Sequence, residues 1–268
     1  MDQDVIIRVS AFAAMLAVML FWEQIFPKRP VLSLHRRRQI ANILLLITDV
    51  LLARLFLPVA VVGTAVIVEH RAWGLFNFIS LNPVIEFCIT LVLLDAVIYG
   101  QHVVFHKIPI LWRVHRVHHT DPEVDVTTGF RFHPIEIILS LLLKMLVVIL
   151  LGAPVMAVLV FELVLNLVAM FNHGNISLPV SLDRILRLIL VTPDMHRVHH
   201  STKKIETNSN YGFCLPVWDR IFRTYQDQPA LGHMQMQIGL KEFRAEESIS
   251  LWNLLVQPFI NVQKYQHE

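Results

Sequence analysis

Five apolar runs organise the chain, at about residues 5–26, 40–68, 84–104, 135–152 and 154–172. At 1.5 Å per residue, each reaches most or all of the way across the roughly 30 Å hydrocarbon core of a bilayer, so each predicts a membrane-crossing helix. The first run follows Asp2 and Asp4, lacks a basic leader, and is expected to stay as an anchor rather than be cleaved. The second carries Asp49, Arg54 and Pro58, which predicts a tilted or kinked crossing. The last two are separated only by Gly152, Ala153 and Pro154, as in a tight helical hairpin. The predicted fold class is all-α: a polytopic helical membrane protein with a cytoplasmic, His-rich helical cap.

Charge sets the expected sidedness. Lys28, Arg29, His35, Arg36, Arg37 and Arg38 lie between the first two runs, and the positive-inside rule places them in the cytoplasm, with the N-terminus outside. The third run then returns inward and delivers His102 and His106 at its cytoplasmic end. The hairpin goes out and comes back, so the segments that flank it share one face. Composition agrees: 55% of residues are apolar, only 16% are charged, and mean hydropathy is +0.56, values suited to lipid. A dispersed net charge of +2 excludes nucleic acid as the partner. Cys88 and Cys214 fall on different sides of the third run and form neither a disulfide nor a Cys-x-x-Cys site.

The candidate chemistry lies in a repeated pentapeptide, His-Arg-Val-His-His, once as His115, Arg116, Val117, His118, His119 and again as His196, Arg197, Val198, His199, His200. Residues at i, i+3 and i+4 share a helix face, so each copy is expected to aim three imidazole nitrogens at one point. His102 and His106, at i and i+4, add two. These eight candidate ligands exceed the three or four of a single zinc-type site, which predicts two metals. His173, at the inner end of the fifth run, is a ninth candidate.

Asp95, Tyr99, His102 and His106 form one polar stripe on an otherwise apolar helix, and Asp95 is expected to orient an imidazole N–H from behind. His133, beside Pro134 and Glu136, is a weaker supporting candidate. The polar run Thr120–Thr128 reads as a solvated turn with no ligand, and His35, His70, His233 and His267 stand apart from any cluster. Imidazole-rich ligation suits iron, zinc, copper or nickel, and spacing does not choose among them. The chain has no Glu-x-x-His and no His-Glu-x-x-His, so soluble di-iron bundles and zinc proteases are excluded. A non-catalytic metal-binding or transport protein is the alternative. Against it, the histidines gather at one face, and away from the ends of the other runs the ionisable residues are Asp49, Arg54, Lys144 and Glu162.

From Asp95 to Tyr225 the arrangement resembles the fatty acid hydroxylase and sterol desaturase superfamily of membrane non-haem di-iron oxygenases. The stretches that carry the likeness are Asp95–His106, Trp112–His119, Phe130–Glu136, Phe171–Asn175, Thr192–His200, Asn210–Gly212 and Trp218–Tyr225. Asn172 and Asn175 stand where fatty-acyl hydroxylases carry further histidines, so the chain is most similar to the branch with alkylglycerol monooxygenase and its bacterial relatives. The resemblance implies two Fe ions held by the nine histidines, O2 as co-substrate, and no catalytic residue beyond the ligands. It further implies hydroxylation or desaturation at an unactivated C–H of a lipid or sterol-like substrate, with electrons from a ferredoxin, cytochrome b5 or reductase-type donor. Tyr211 and Asp219 match its closing motif and would support the ligands from behind. The implied division is N-terminal membrane helices at 1–83, a catalytic domain at 84–226 and a C-terminal cytoplasmic tail at 227–268.

Overall fold

The computed structural model describes residues 3–32 and 34–261; His267 and the end of the expected tail, 262–268, lie outside them. The helices up to the second pentapeptide are α1 (Gln3–Ile25), α2 (His35–Phe56), α3 (Ala60–Arg71), α4 (Pro83–Lys107), α5 (Pro109–His119), α6 (Pro134–Leu151), α7 (Val155–Asn172), α8 (Val180–Leu186) and α9 (Pro193–His199). Beyond α9 the chain runs in short helical turns to a last helix at Leu251–Val256. Among the described residues no strand forms, and only two isolated bridges do, Pro27 with Ile176 and Ser201 with Ile238.

Local chemistry fixes where the helices start. α4, α6 and α9 each begin with a polar cap followed by proline: Asn82-Pro83, His133-Pro134 and Thr192-Pro193. The cap side chain accepts a free backbone N–H of the first turn, and proline at the first helical position gives up no bond. The second apolar run breaks at Pro58 into α2 and α3, as its sequence predicts. Gly152 ends α6 at φ +71° and lies against Gly74 at φ +92°; a Cβ on Gly74 would come within 2.0 Å of the Gly152 nitrogen. Glycine at both positions therefore lets the loop after α3 close over the α6–α7 hairpin.

Five helical stretches are long and apolar enough to cross a membrane: α1, the broken α2–α3 stretch, α4, α6 and α7. Their outward faces are apolar, with Phe21, Leu51, Leu55, Val92, Leu146 and Leu150 all exposed, while the buried set includes Arg38, Arg131, Arg197 and most of the histidines. An apolar exterior around a polar interior is the pattern of an integral membrane protein. Inside the bundle, Lys144 of α6 meets Glu162 of α7 at 2.6 Å, which pairs two charges that hydrocarbon would not tolerate singly.

Ends of these helices meet in one layer. α1 exits beside α7, where Lys28 N donates to the Asn175 carbonyl (3.0 Å) and Ser177 N to that of Phe26 (2.8 Å). α4 ends, α6 begins and α7 ends in the same layer, which brings both pentapeptides to one face, as the even number of crossings between them requires.

A buried ion cluster ties α2 into that layer. Arg38 is 1% exposed and donates to Asp121 (2.7 Å), Glu123 (3.2 Å) and Asp125. Asp121 also accepts from Asn42 (3.2 Å) and Thr128 (2.8 Å). The Thr120–Thr128 stretch is therefore no solvated turn: Asp121, Asp125, Thr127 and Thr128 are buried, because a cation from a distant helix supplies the partners that water would otherwise provide. The turn that follows packs on α7 so closely that a Cβ on Gly129 would lie 2.9 Å from the Ala169 carbonyl oxygen. Arg38→Met strands these carboxylates and is expected to cost about 3–5 kcal/mol, read as a lower unfolding midpoint in detergent. An unchanged midpoint would show that the cluster does not hold the layer together.

Candidate metal centre

Nine histidines, the full set expected from the sequence, come together in two adjoining groups. The first contains His102, His106, His115, His119 and His199, and the second His118, His173, His196 and His200; within each group one nitrogen per residue lies within 4.8 Å of all the others. The groups touch, with the rings of His119 and His200 centred 4.8 Å apart. All nine are buried except His106, which is half-buried.

The pentapeptides divide between the groups rather than each serving one. The first gives His115 and His119 to one group and His118 to the other; the second gives His196 and His200 to the second group and His199 to the first. Helix geometry explains this departure from the sequence expectation. At 100° per residue, positions i and i+4 lie about 40° apart, whereas i+3 falls about 60° to the far side of i. Two such helices facing each other each place a pair on their own side and lend the third histidine across. α4 adds His102 and His106 to the first group, and the end of α7 adds His173 to the second.

Hydrogen bonds on the outer nitrogens set which way each ring faces. The Nδ1–H of His102 donates to the Tyr211 carbonyl (2.8 Å), that of His199 to Ser209 (2.7 Å) and that of His173 to Ala169 (2.7 Å). His115 Nδ1 meets Glu136 Oε1 at 2.7 Å, and His106 Nδ1 lies 3.4 Å from Asn208 Oδ1. A carbonyl only accepts, so the proton sits on Nδ1 and the inward Nε2 is left with a bare lone pair. The Nε2 atoms of His102, His106 and His199 are buried with no protein partner. In the second group, His173 Nε2 lies 3.1 Å from His118 Nε2 and 3.0 Å from His196 Nε2, and His196 Nε2 lies 3.3 Å from His200 Nε2. One lone pair cannot be satisfied by two such neighbours, but it suits a shared cation.

Protonation offers no alternative source of positive charge. Burial, reinforced by repulsion among the rings, pushes His118, His119, His196, His199 and His200 well below the ordinary histidine range, and burial takes His173 down to about 4. Neutral imidazole is the metal-binding form, so the donor set fits two first-row metal ions.

Of the supporting candidates, Tyr211 adjoins the site, with its carbonyl on His102 and its ring packed 5.1 Å from His106. Asp219 accepts from the Tyr211 and Gly212 amides (2.8 and 2.7 Å) and from Thr224 (2.6 Å), which holds that carbonyl in place. Asp95 meets no imidazole. It accepts from Cys214 N, Leu215 N and Trp218 Nε1 (3.2, 3.2 and 2.8 Å), because the closing motif, not the histidine layer, passes its end of α4. His133 likewise stands apart from both groups, capping α6 and contacting the Leu255 carbonyl at 3.1 Å. Among the described residues, His35, His70 and His233 belong to neither group; His35 and His233 lie against Glu123 and Asp194.

Glu136 is the functional position that spacing alone does not reveal. Its signal is a lone carboxylate at the head of an apolar run, where an ionisable side chain needs a specific partner. The segment expected as a tail also packs on the site. Arg116 of the first box donates to the carbonyls of Gln257 (2.6 Å) and Ile260 (2.7 Å), and Gly239 N donates to His200 O (3.0 Å). Glu136→Gln is expected to weaken metal binding about 10- to 100-fold, measured by competition with a chelator, while the protein stays folded. Unchanged affinity would remove Glu136 from the site.

Comparison with known proteins agrees with this geometry. Over 139 residues the chain is 33% identical to the ornithine lipid hydroxylase OlsE of Rhizobium tropici, covering 52% of this chain and 41% of that protein. It is 30% identical over 129 residues to the alkylglycerol monooxygenase of Homo sapiens, covering 48% of this chain and 28% of that one. With the Danio rerio alkylglycerol monooxygenase it shares 29% over 156 residues, 57% of this chain and 34% of the relative. The chain thus spans less than half the length of these relatives. No solved structure matches it. The family model described as fatty acid hydroxylase matches residues 87–224, from the second turn of α4 through both histidine groups to the closing motif, and the chain belongs to that family.

Proposed function

We propose that the chain is a membrane-bound di-iron oxygenase that uses O2 and external electrons to hydroxylate or desaturate an unactivated C–H position of a lipid or sterol-like molecule. The observation that carries this reading is the convergence of nine imidazoles, eight buried and His106 half-buried, in two adjoining groups, with the outer nitrogens of His102, His115, His173 and His199 anchored. His102, His106, His115, His119 and His199 would hold one iron and His118, His173, His196 and His200 the other. Such a pair would supply the oxygen activation that no side chain can, with the electrons drawn from the external donor. Glu136, Tyr211, Ser209 and Ala169 would orient four of these rings, His115, His102, His199 and His173, from behind.

The protein's own part is positioning and exclusion of water. Phe105, packed 5.8 Å from the His115 ring, is a buried apolar neighbour of the first group, and the apolar belt of the membrane-crossing stretches would let a lipid approach from the bilayer. The relatives named for hydroxylation of ornithine lipid and monooxygenation of alkylglycerols support a lipid substrate. The catalytic domain would occupy residues 84–226, with the histidine layer on the cytoplasmic face, where Arg36 and Arg37 are exposed beside it. There a ferredoxin, cytochrome b5 or reductase-type donor has access. The transport alternative has less support, since Lys144 and Glu162 neutralise each other across α6 and α7 instead of marking a path.

The test is incorporation of 18O. Iron-loaded protein in lipid nanodiscs, given a reductant, 18O2 and a total lipid extract, is expected to yield an 18O-labelled lipid or an O2-dependent alkene. His118→Ala and His199→Ala, one from each group, should reduce either product to background. Iron-loaded protein that alters no lipid would overturn the proposal.

A further inference from the structure

Beside the histidine layer, α4 forms one wall of a groove of about 410 Å3. Ala96, Gly100, Val103 and Lys107 line it from α4, and Trp218 and Phe222 of the closing motif face them. The α4 residues each follow a member of the stripe Asp95, Tyr99, His102, His106 by one position, so the groove runs on the neighbouring helix face, about 100° round. It rises with the histidines, level for level. Below Ala96 it continues into the exposed apolar surface at Val92 and Leu93. At the other end Lys107 is exposed and pairs with no acid among the described residues.

Gly100 shows that the space is a feature of this face. Glycine is unfavourable within a helix and usually marks a close approach, yet a Cβ here would meet nothing within 4 Å. The opposite wall is held firmly. Trp218 Nε1 donates to Asp95 Oδ2 (2.8 Å), Phe222 stacks on Tyr99 with centroids 5.4 Å apart, and the Tyr99 hydroxyl bonds Thr224 Oγ1 at 2.9 Å. Thr224 in turn bonds Asp219, which fixes the Tyr211 carbonyl on His102. The groove and the first histidine group therefore adjoin, with the rings of Tyr99 and Tyr211 at their boundary.

We propose that this groove binds one alkyl chain of an anionic membrane lipid, with the chain toward Ala96 and the bilayer and the anionic head beside Lys107. The occupant is a lipid because the groove opens onto the apolar face of a membrane-crossing helix, and its head is anionic because the one charge at its end is an unpaired ammonium. The carbons next to the head then stand level with His102 and His106, within about 8 Å of them along the helix axis, and the chain terminus does not. This assignment of substrate class rests on the oxygenase reading above.

The experiment uses lysophosphatidic acid and an uncharged monoacylglycerol, each with a diazirine on the acyl chain, photolysed with the full chain in detergent. Wild type is expected to be labelled within Ala96–Lys107 or Trp218–Thr224, with the anionic probe favoured. Gly100→Leu and, independently, Val103→Trp should remove that label while metal content is unchanged. Lys107→Gln should reduce the preference for the anionic probe by about two- to fivefold and leave the neutral probe unaffected. Undiminished labelling in both filled variants, or labelling elsewhere, would overturn the site; equal capture of the two probes by wild type would overturn the anionic head. Labelling needs neither metal nor oxygen, so a protein that labels the groove but oxidises no lipid retains the site and refutes the oxygenase reading. Persistent 18O incorporation in filled variants that have lost the label would keep the oxygenase reading and overturn the groove as the seat of its substrate.

Discussion

Buried lone pairs that have no proton to share are the constraint around which this molecule is organised. Nine imidazoles face one another in two groups, several with the outer nitrogen committed to a backbone carbonyl or to Glu136. Without a cation such an interior is repulsive and poorly solvated; with one in each group it becomes a pair of closed polar sites in a dry layer. The distant partners then have a common purpose. Tyr211, Asp219 and Thr224 form a chain that holds one ring, Glu136 holds another, and the Arg38 cluster presses the turn at Gly129 against the helix end that carries His173.

The membrane gives this layer its support. Helices whose outward faces are apolar are free to be polar where they end, and five helical stretches contribute their ends to one plane. Capping prolines at Pro83, Pro134 and Pro193 fix where helices start, which sets the height at which Glu136 and His196 appear. Because the pentapeptides exchange one histidine each, neither group is complete without both, and the C-terminal carbonyls on Arg116 tie a third segment to them.

Much of this was legible in the residues. The apolar runs located the candidate crossings, Pro58 announced the break between α2 and α3, the spacing of the histidines selected eight members of the two groups, and the end of the fifth run selected the ninth, His173. What spacing does not encode is partnership across the fold. His118 and His119 are neighbours in sequence yet serve different groups, because 100° of helix rotation separates them. Arg38 reads as one charge in a cytoplasmic cluster and the loop at Asp121 and Asp125 as a solvated turn; each is buried only because the other is there. Asp95 has the placing of an imidazole partner but faces the backbone of Cys214 and Leu215, a contact that depends on where the chain returns more than a hundred residues later.

The most direct measurement is metal content with Mössbauer spectroscopy on protein expressed in iron-enriched medium, purified in detergent, reduced without oxygen and then exposed to it. Two irons per chain that reoxidise together are the predicted result. A single metal per chain, or tightly held zinc with no uptake of iron, would contradict a two-iron centre built from these nine histidines.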